Sequence, residues 1–346
     1  MTQPVAHLYV HVPFCAAKCH YCAFYSRPGS LDQMTGYVDS VLAELAQYAA
    51  QLAPVTIFIG GGTPSLLPVE CWQRLLDGLH RYLSLTGIIE WTVECNPATV
   101  DEAKARLWRG AGINRISLGV QSFDDRLLQT LGRVHTSRQA IETYRLLRAA
   151  GFDNIGLDLM FALPGQTMAQ WRDTLHKAVA LDPEHISAYC LTPEEGTALA
   201  GFAPDEEQSL GMFESGIETL AAAGYRHYEI SNFAKPGREC AHNIAYWEGK
   251  DYIGLGPSAV STVGLRRWTS GGGEEPLTPQ VRQAERVAFG LRMIEGVPAE
   301  LVRGRWDAEV AGLLRESLVC WNDGRLRLTH RGLLFADAVA SEFVGD

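Results

Sequence analysis

Three cysteines near the start of the chain could hold a metal or a cluster. Cys15, Cys19 and Cys22 have the spacing C-x-x-x-C-x-x-C and directly follow an apolar run that predicts a strand. Structural zinc sites normally use four ligands, so zinc would need a further one such as His11 or His20. Iron–sulfur clusters are held by thiolates, normally four. Three thiolates would therefore leave one iron of a 4Fe–4S cluster open to a small chelating ligand with an amine and a carboxylate.

Two motifs in combination resemble a known superfamily. The loop "CAAKCHYC" (15–22) follows the first predicted strand, and "GGGTPS" (60–65) follows the second. Together they resemble the radical S-adenosylmethionine (SAM) superfamily, whose 4Fe–4S cluster binds SAM through its open iron. The motifs "YVHVPFC", "VECNP", "ISLGVQSF", "LDLMFALPGQT" and "HNIAYW" further resemble the oxygen-independent coproporphyrinogen III oxidase-like branch.

This resemblance implies a set of site residues. It implies that the three cysteines ligate the cluster. The residues implied to contact SAM are Tyr9, Gly61, Gly62, Thr63, Glu94, Gln121, Arg133 and Asp158. Carboxylates can bind ribose hydroxyls or an ammonium, and a guanidinium can clamp a carboxylate. Taken singly, each residue could instead make an ordinary hydrogen bond at a barrel rim, and no catalytic residue is assigned.

Two kinds of protein in this branch must be distinguished. One is the coproporphyrinogen III dehydrogenase, a decarboxylating enzyme, and the other is the HemW-type haem chaperone. The dehydrogenases carry a further cysteine two positions after the third and an N-terminal extension. Here Phe24 takes that position, and seven residues precede Leu8. Both differences favour the chaperone, with the dehydrogenase as the alternative.

The motif "HNIAYW" also resembles the HemW-type proteins, and it implies haem contacts. The four residues concerned are His242, Asn243, Tyr246 and Trp247. The histidine could be an axial ligand of haem iron, and the aromatic rings could lie against the macrocycle. The nearby cations for the propionates are Arg238, Lys250, Arg266 and Arg267. Alternatively, the aromatic residues pack a second domain onto the first.

Six strand-like runs alternate with amphipathic helix-like runs and predict the elements that position these residues. The predicted strands are Leu8–Val12, Val55–Ile59, Glu90–Cys95, Arg115–Val120, Asn154–Phe161 and His185–Leu191. Repeated βα units predict parallel strands with right-handed crossovers. Polar residues or glycine end almost every strand, which is typical of a βα-barrel site. We therefore expect an incomplete (βα)6 barrel of the radical-SAM type rather than an open sheet.

The remainder of the chain predicts a second, smaller domain. We place a barrel with its "HNIAYW" extension at 1–270 and a C-terminal α+β domain at 271–346. In the latter, "LVCWNDGRLRLT" has the strand–turn–strand pattern of a winged-helix wing, with Asp323 and Gly324 at the turn.

The overall charge of the chain argues against two classes of partner. The net charge of −10 and the pI of about 5.5 disfavour nucleic acid or an anionic membrane surface. No run is apolar enough to span a bilayer, and no signal peptide is apparent, so we expect a cytoplasmic protein with reduced thiols. The expected partners are haem and haem-accepting proteins, with membrane respiratory enzymes as candidates. The resemblance leaves open whether SAM is cleaved.

Overall fold

The computed structural model of the chain describes residues 3–344. Residues 1–2 and 345–346, at the outer ends of the two predicted domains, lie outside the described residues. The first six strands are β1 (Val5–Val12), β2 (Leu52–Gly61), β3 (Glu90–Cys95), β4 (Arg115–Gln121), β5 (Ile155–Phe161) and β6 (His185–Cys190). The first seven helices are α1 (Leu31–Tyr48), α2 (Val69–Tyr82), α3 (Glu102–Gly110), α4 (Asp125–Thr130), α5 (Ser137–Ala149), α6 (Met168–Ala180) and α7 (Glu206–Ala222).

The later elements are shorter. The strands are β7 (Arg226–Glu229), β8 (Asn232–Ala234), β9 (Ile253–Leu255), β10 (Val260–Val263), β11 (Arg266–Thr269), β12 (Glu274–Pro276), β13 (Val297–Pro298), β14 (Val319–Asn322) and β15 (Arg325–Leu328). The helices are α8 (Ala241–Trp247), α9 (Pro279–Gly290), α10 (Asp307–Arg315), α11 (His330–Leu334) and α12 (Ala336–Ser341). Short 3₁₀ turns lie at Ala49–Gln51, Pro64–Leu66, Pro97–Thr99 and Ala299–Leu301.

Strands β1 to β6 pair in parallel and in chain order, which confirms the predicted incomplete six-unit barrel. The sheet has more strands than the six that the sequence predicted. Strand β9 pairs parallel to β1 at one edge, and β8 pairs antiparallel to β6 at the other, followed by β7. The nine-stranded sheet therefore has the order β7-β8-β6-β5-β4-β3-β2-β1-β9.

The two faces of the parallel strands differ in chemistry. On β1, Leu8, Val10 and Val12 are fully buried and belong to the main hydrophobic core. Successive side chains of a strand point to opposite faces, so the other face of β1 carries His7, Tyr9 and His11. We call this the inner face. Its polar members on the next strands are Thr56 of β2, Glu90, Thr92 and Glu94 of β3, Arg115 and Ser117 of β4, Asp158 of β5, and His185 and Ser187 of β6.

The end of the chain has a core of its own. It runs from Ala284 to Phe343 and includes Trp306 and Leu326. The predicted wing is present as the β14–β15 hairpin, with positive φ at both turn residues, Asp323 (48°) and Gly324 (73°). The three-stranded sheet β10–β12 spans 260–276 and so crosses the predicted boundary at 270–271, which stays a prediction.

Within residues 3–344, none of the helices combines the length and apolar character needed to traverse a membrane.

Candidate functional site

Backbone hydrogen bonds hold the cysteine loop at the C-terminal ends of the parallel strands. We call this region the carboxyl edge of the sheet. Cys15 N–H donates to Arg27 O at 3.0 Å, and Arg27 N–H donates to Pro13 O at 2.7 Å. His20 N–H donates to Leu131 O at 3.0 Å, just after α4. His20 O accepts from Leu199 N–H at 3.0 Å in the segment between β6 and α7. The loop is thus held by three separate parts of the chain.

The three thiols are free and half-buried, and Cys15 and Cys19 each have a polar side chain beside the sulfur. Arg133 Nη1 lies 3.5 Å from Cys19 Sγ, and Thr63 Oγ1 lies 3.4 Å from Cys15 Sγ. Arg133 Nη2 also donates to Gly119 O at 2.7 Å, while its buried Nε has no partner within the protein. A guanidinium can donate a hydrogen bond to a thiolate that ligates a cluster. The donor set therefore fits a thiolate-bound cluster with a further group near Arg133.

Of the two candidate fourth zinc ligands, His11 has both ring nitrogens bonded within the protein. His11 Nδ1 bonds Tyr9 Oη at 3.0 Å, and its Nε2 bonds Tyr25 O at 2.9 Å. His20 Nδ1 bonds Thr130 O at 2.9 Å. Across the part of the chain that the structure describes, no three His, Cys, Asp or Glu side chains converge closely enough to hold a single metal ion.

The glycine-rich loop after β2 lies directly against the cysteine loop. Gly62 N–H donates to Val12 O at 2.8 Å, and Thr63 N–H donates to Phe14 O at 2.7 Å. A Cβ at Gly62 would lie 2.8 Å from Phe14 O and 3.1 Å from Cys15 Sγ. Glycine is required at this close approach of two backbones. Gly61 has a φ of 109°, a backbone conformation that residues with a Cβ rarely adopt.

Glu94 and Asp158 form a half-buried acidic pair at the same edge. Glu94 Oε2 accepts from Gly61 N–H at 3.0 Å. Asp158 accepts from Ser117 Oγ at 3.0 Å and from Ser187 Oγ at 2.9 Å. Burial, and then the nearby Asp158, raise the pKa of Glu94 to about 7. Burial also raises the pKa of Asp158. Both shifts favour the protonated form of each acid, so a cation at this edge would have to displace a proton, whereas hydroxyls can bind to either form.

Gln121 and Tyr9 complete the set of predicted SAM residues. Gln121 has a φ of 65°, which is strained for a residue other than glycine, and it sits at an irregularity between β4 and β5. A Cβ at Gly119 would lie 3.1 Å from Gln121 Nε2 and 3.3 Å from Arg133 Nη2, so these two side chains are neighbours. Tyr9 lies two residues before His11 on the same face of β1. Burial raises the pKa of Tyr9. The structure thus gathers the predicted cluster and SAM residues around one edge of the sheet.

The sequence did not predict the roles of three residues at this edge, of which His11 was expected only as a zinc ligand. Ser117 and Ser187 orient Asp158, and His11 orients Tyr9. The alternation of His7, Tyr9 and His11 on β1 was a signal, because three polar side chains on one face of a buried strand are unusual. The two serines gave no signal, since a small polar residue in a strand is commonly an ordinary hydrogen-bonding partner.

The predicted haem residues do not join this edge. His242, 9% exposed, lies beside residues from the amino ends of β1 to β3. Its Nδ1 bonds Thr56 Oγ1 at 2.8 Å, and Thr56 Oγ1 also bonds His7 Nδ1 at 2.9 Å. The ring lies against Phe58 with centroids 5.2 Å apart. Burial lowers the pKa of His242 to about 3, so the ring is neutral. Haem ligation by His242 stays a prediction.

The start of α8 is bound by a carboxylate from the barrel. Glu90 Oε1 accepts from His242 N–H at 2.9 Å, and Oε2 accepts from Ala241 N–H at 2.8 Å. The Cys240 thiol donates to Glu90 Oε1 at 3.4 Å. Arg115, also buried, lies 3.9 Å from the same carboxylate. An inner-face charge pair therefore anchors the helix that carries the "HNIAYW" motif.

The other predicted haem residues face outward or pack between elements. Tyr246 is 39% exposed and stacks on Phe289 of α9 with centroids 5.6 Å apart. Trp247 lies under the Arg292 guanidinium at 4.7 Å, and Asn243 is half-buried. These contacts match the packing alternative for the aromatic residues. Tyr246, Tyr252, Phe289 and Lys250 line a cavity of about 260 Å³.

The predicted propionate cations are paired with carboxylates. Arg266 lies 2.8 Å from Glu274, and Arg267 lies 2.8 Å from Glu285. Lys250 lies 3.4 Å from Glu248, both more than half exposed. Arg238 lies 3.8 Å from Asp153. Among them, Lys250 combines an exposed, weak pairing with a place beside the cavity.

Comparison with known proteins agrees with the geometry. Residues 9–178 match the family model of the radical SAM superfamily. The chain is 32% identical to the haem chaperone HemW of Lactococcus lactis over 100% of this chain and 99% of the relative. It is 42% identical to HemW of Escherichia coli, over 75% of this chain and 71% of the relative. Its fold is similar to that of coproporphyrinogen III oxidase (HemN) from Escherichia coli, a radical SAM enzyme, with a TM-score of 0.84, 22% identity and coverage of 99% and 90%.

Proposed function

We propose, on the premise that the chain belongs to the radical SAM superfamily and to its HemW family of haem chaperones, that this protein binds haem and passes it to acceptor proteins. The similarity to HemW over the whole chain carries the proposal. Phe24 supports it, because its phenyl ring stands where the decarboxylating relatives have cysteine and is 69% exposed. A phenyl ring cannot ligate iron.

The carboxyl edge of the sheet is proposed to hold a 4Fe–4S cluster and SAM. Cys15, Cys19 and Cys22 would ligate three irons. Arg133 offers a guanidinium for the SAM carboxylate, and Glu94 and Asp158 offer carboxylates for its hydroxyls or ammonium. This pair of cofactors would supply radical chemistry only where SAM is cleaved, and the protein's part is to orient the cofactors. Glu94 is held by Gly61 N–H, so the glycine loop and the acidic pair form one rigid wall.

Haem is proposed to bind on the outer side of α8. Tyr246 presents a partly exposed ring beside the cavity, and Lys250 offers a cation to a propionate. His242 reaches iron only if its ring leaves Thr56 and Phe58, so its role as an axial ligand requires α8 to move. The acceptors are proposed to include membrane respiratory enzymes.

Anaerobic reconstitution tests the proposal. The protein is supplied with iron and sulfide, then titrated with haem and SAM while visible and EPR spectra are recorded. We expect saturable haem binding and no conversion of coproporphyrinogen III. Haem-loaded protein is then mixed with respiratory membranes depleted of haem, and the Soret absorbance is expected to move to the membrane fraction. Steady formation of protoporphyrinogen would instead identify a coproporphyrinogen III dehydrogenase.

A further inference from the structure

A buried lysine lies behind the glycine loop. Lys104 of α3 is only 9% exposed. Its Nζ donates to Ser65 O at 2.8 Å and to Thr99 O at 2.9 Å, whereas the nearest carboxylate oxygen, of Asp101, is 4.0 Å away. Burial lowers the pKa of Lys104, because an ammonium inside a protein loses its hydration. A charge in such a place needs a structural or functional reason.

Lys104 joins two loops at the carboxyl edge of the sheet. Ser65 belongs to the loop after β2, and Thr99 belongs to the loop after β3. The Ser65 hydroxyl, fully buried, accepts from Asn96 N–H at 2.9 Å and bonds Thr99 Oγ1 at 2.6 Å. Thr99 Oγ1 donates to Asn96 O at 2.9 Å, so the Ser65 hydroxyl is the donor to Thr99. Two carbonyl oxygens that would otherwise face each other converge on one ammonium.

The opposite side of the glycine loop rests on the cysteine loop. Gly62 and Thr63 donate their N–H groups to Val12 and Phe14, and Thr63 Oγ1 lies 3.4 Å from Cys15 Sγ. The segment 61–65 is therefore clamped between the proposed cluster ligands and the Lys104 ammonium. A shift of Ser65 would move Thr63 and Gly62, which are two and three residues away along the same turn.

We infer that Lys104 is a positioning residue that holds the glycine loop in the geometry required to bind SAM. This inference rests on the proposed function. Lysine suits the role because its flexible stem crosses from α3 to both loops and its ammonium has three donors. A methionine side chain would fill the space of the lysine stem but would donate no hydrogen bond. An arginine side chain would keep the positive charge and several hydrogen-bond donors.

The test compares Lys104→Met and Lys104→Arg with the wild-type protein. As a matched control, Lys177→Met removes a lysine from an exposed position on α6, where it pairs with Asp173. Each protein is reconstituted with iron and sulfide, and SAM affinity is read from the change that SAM causes in the EPR spectrum of the reduced cluster. Hydrogen exchange of the peptide covering 60–67 is measured without cofactors. Haem affinity is measured in parallel.

We expect Lys104→Met to weaken SAM binding roughly 10- to 100-fold, the loss seen when a support behind a binding group is removed. Exchange in 60–67 should accelerate, whereas cluster content and haem affinity should stay at the wild-type level. Lys104→Arg should retain most of the SAM affinity. Lys177→Met should change neither the SAM affinity nor the hydrogen exchange in 60–67.

Two results would overturn the inference. One is wild-type SAM affinity and wild-type exchange in 60–67 for Lys104→Met. The other is a parallel loss of cluster content, haem affinity and SAM affinity in both Lys104 variants, which would indicate a general support of the fold. If the wild-type protein itself binds no SAM, the proposed SAM site fails, and unchanged exchange in Lys104→Met then separately rejects the positioning role.

Discussion

The carboxylate of Glu90, on strand β3, accepts the backbone N–H of His242 at 2.9 Å and so fixes the start of α8 to the barrel. Glu90 is 5% exposed, and the buried Arg115 guanidinium lies 3.9 Å away. The Glu90 carboxylate therefore accepts hydrogen bonds from the first N–H groups of α8 and also balances the charge of Arg115. The start of the helix that carries the proposed haem residues is therefore anchored to the polar inner face of the sheet.

Glu90→Gln should lower the free energy of unfolding by about 3 kcal/mol, because it removes the nearest counter-charge of the buried Arg115 guanidinium. Chemical denaturation measures the loss. Glu102→Gln, which removes an exposed partner of Arg106, is the matched control and should change stability by less than about 0.5 kcal/mol. A Glu90→Gln protein as stable as the wild type would show that the pair contributes nothing.

Cys19→Ala should abolish the broad visible absorbance of sulfide-to-iron charge transfer after anaerobic reconstitution, since it removes one of three ligands. Cys320→Ala provides the control, because that thiol is also half-buried but lies in the distant β14–β15 hairpin. Iron and sulfide content should fall in the first variant alone. Normal reconstitution of Cys19→Ala would rule out this ligand set.

Arg133→Lys should weaken SAM binding by roughly tenfold while the cluster still forms. Lysine keeps the charge but loses the planar fork that reaches Cys19 and Gly119 and can clamp a carboxylate. SAM titration of the reduced cluster, followed by EPR, gives the affinity. The exposed Arg138→Lys is the comparison and should bind SAM as the wild type does. Equal affinity in all three proteins contradicts the assignment.

Glu94 should make the cofactor-free protein less stable as the pH rises. Its pKa is raised from 4.5 to about 7 by burial and by Asp158, against the opposing effects of Gly61 N–H and the Arg115 guanidinium. The folded state thus binds the proton more tightly, and the advantage is present below pH 4.5 and disappears as the pH passes through 7.

Glu94→Gln carries no such dependence. Its stability relative to the wild type should increase by roughly 2–3 kcal/mol between these pH limits, as measured by urea denaturation at a series of pH values. Parallel pH profiles for the two proteins would contradict the raised pKa.

Tyr246→Ala should weaken haem binding severalfold and leave cluster content unchanged, because the partly exposed ring offers a contact surface for the macrocycle. Tyr82→Ala removes a similarly exposed tyrosine from α2 and is the control. Soret titration measures both. In the same experiment, His242→Ala should change the Soret band if His242 ligates iron, and an identical spectrum would remove it as a ligand.

The sequence predicted the six parallel strands well, and it failed where partners are distant along the chain. Strand β3 was predicted with its observed bounds, Glu90–Cys95, because an apolar run with polar ends defines a buried strand. Strand β9 was missed because three residues acquire a strand conformation only by pairing with β1. The chemistry of the carboxyl edge followed from motif spacing. The roles of Glu90 and Lys104 did not, because a charged residue in a strand or helix gives no sign of the loop that will cover it.

The pairing of β9 with β1 has a consequence for synthesis on the ribosome. Val10 and Leu255 are partners although about 245 residues separate them. At about 5–20 residues per second, the outer edge of β1 waits roughly 12–50 seconds for its partner to emerge. An unpaired strand edge is open to association with other chains. The cysteine loop directly after β1 waits for a shorter interval, because its partners Leu131 and Leu199 emerge before β9.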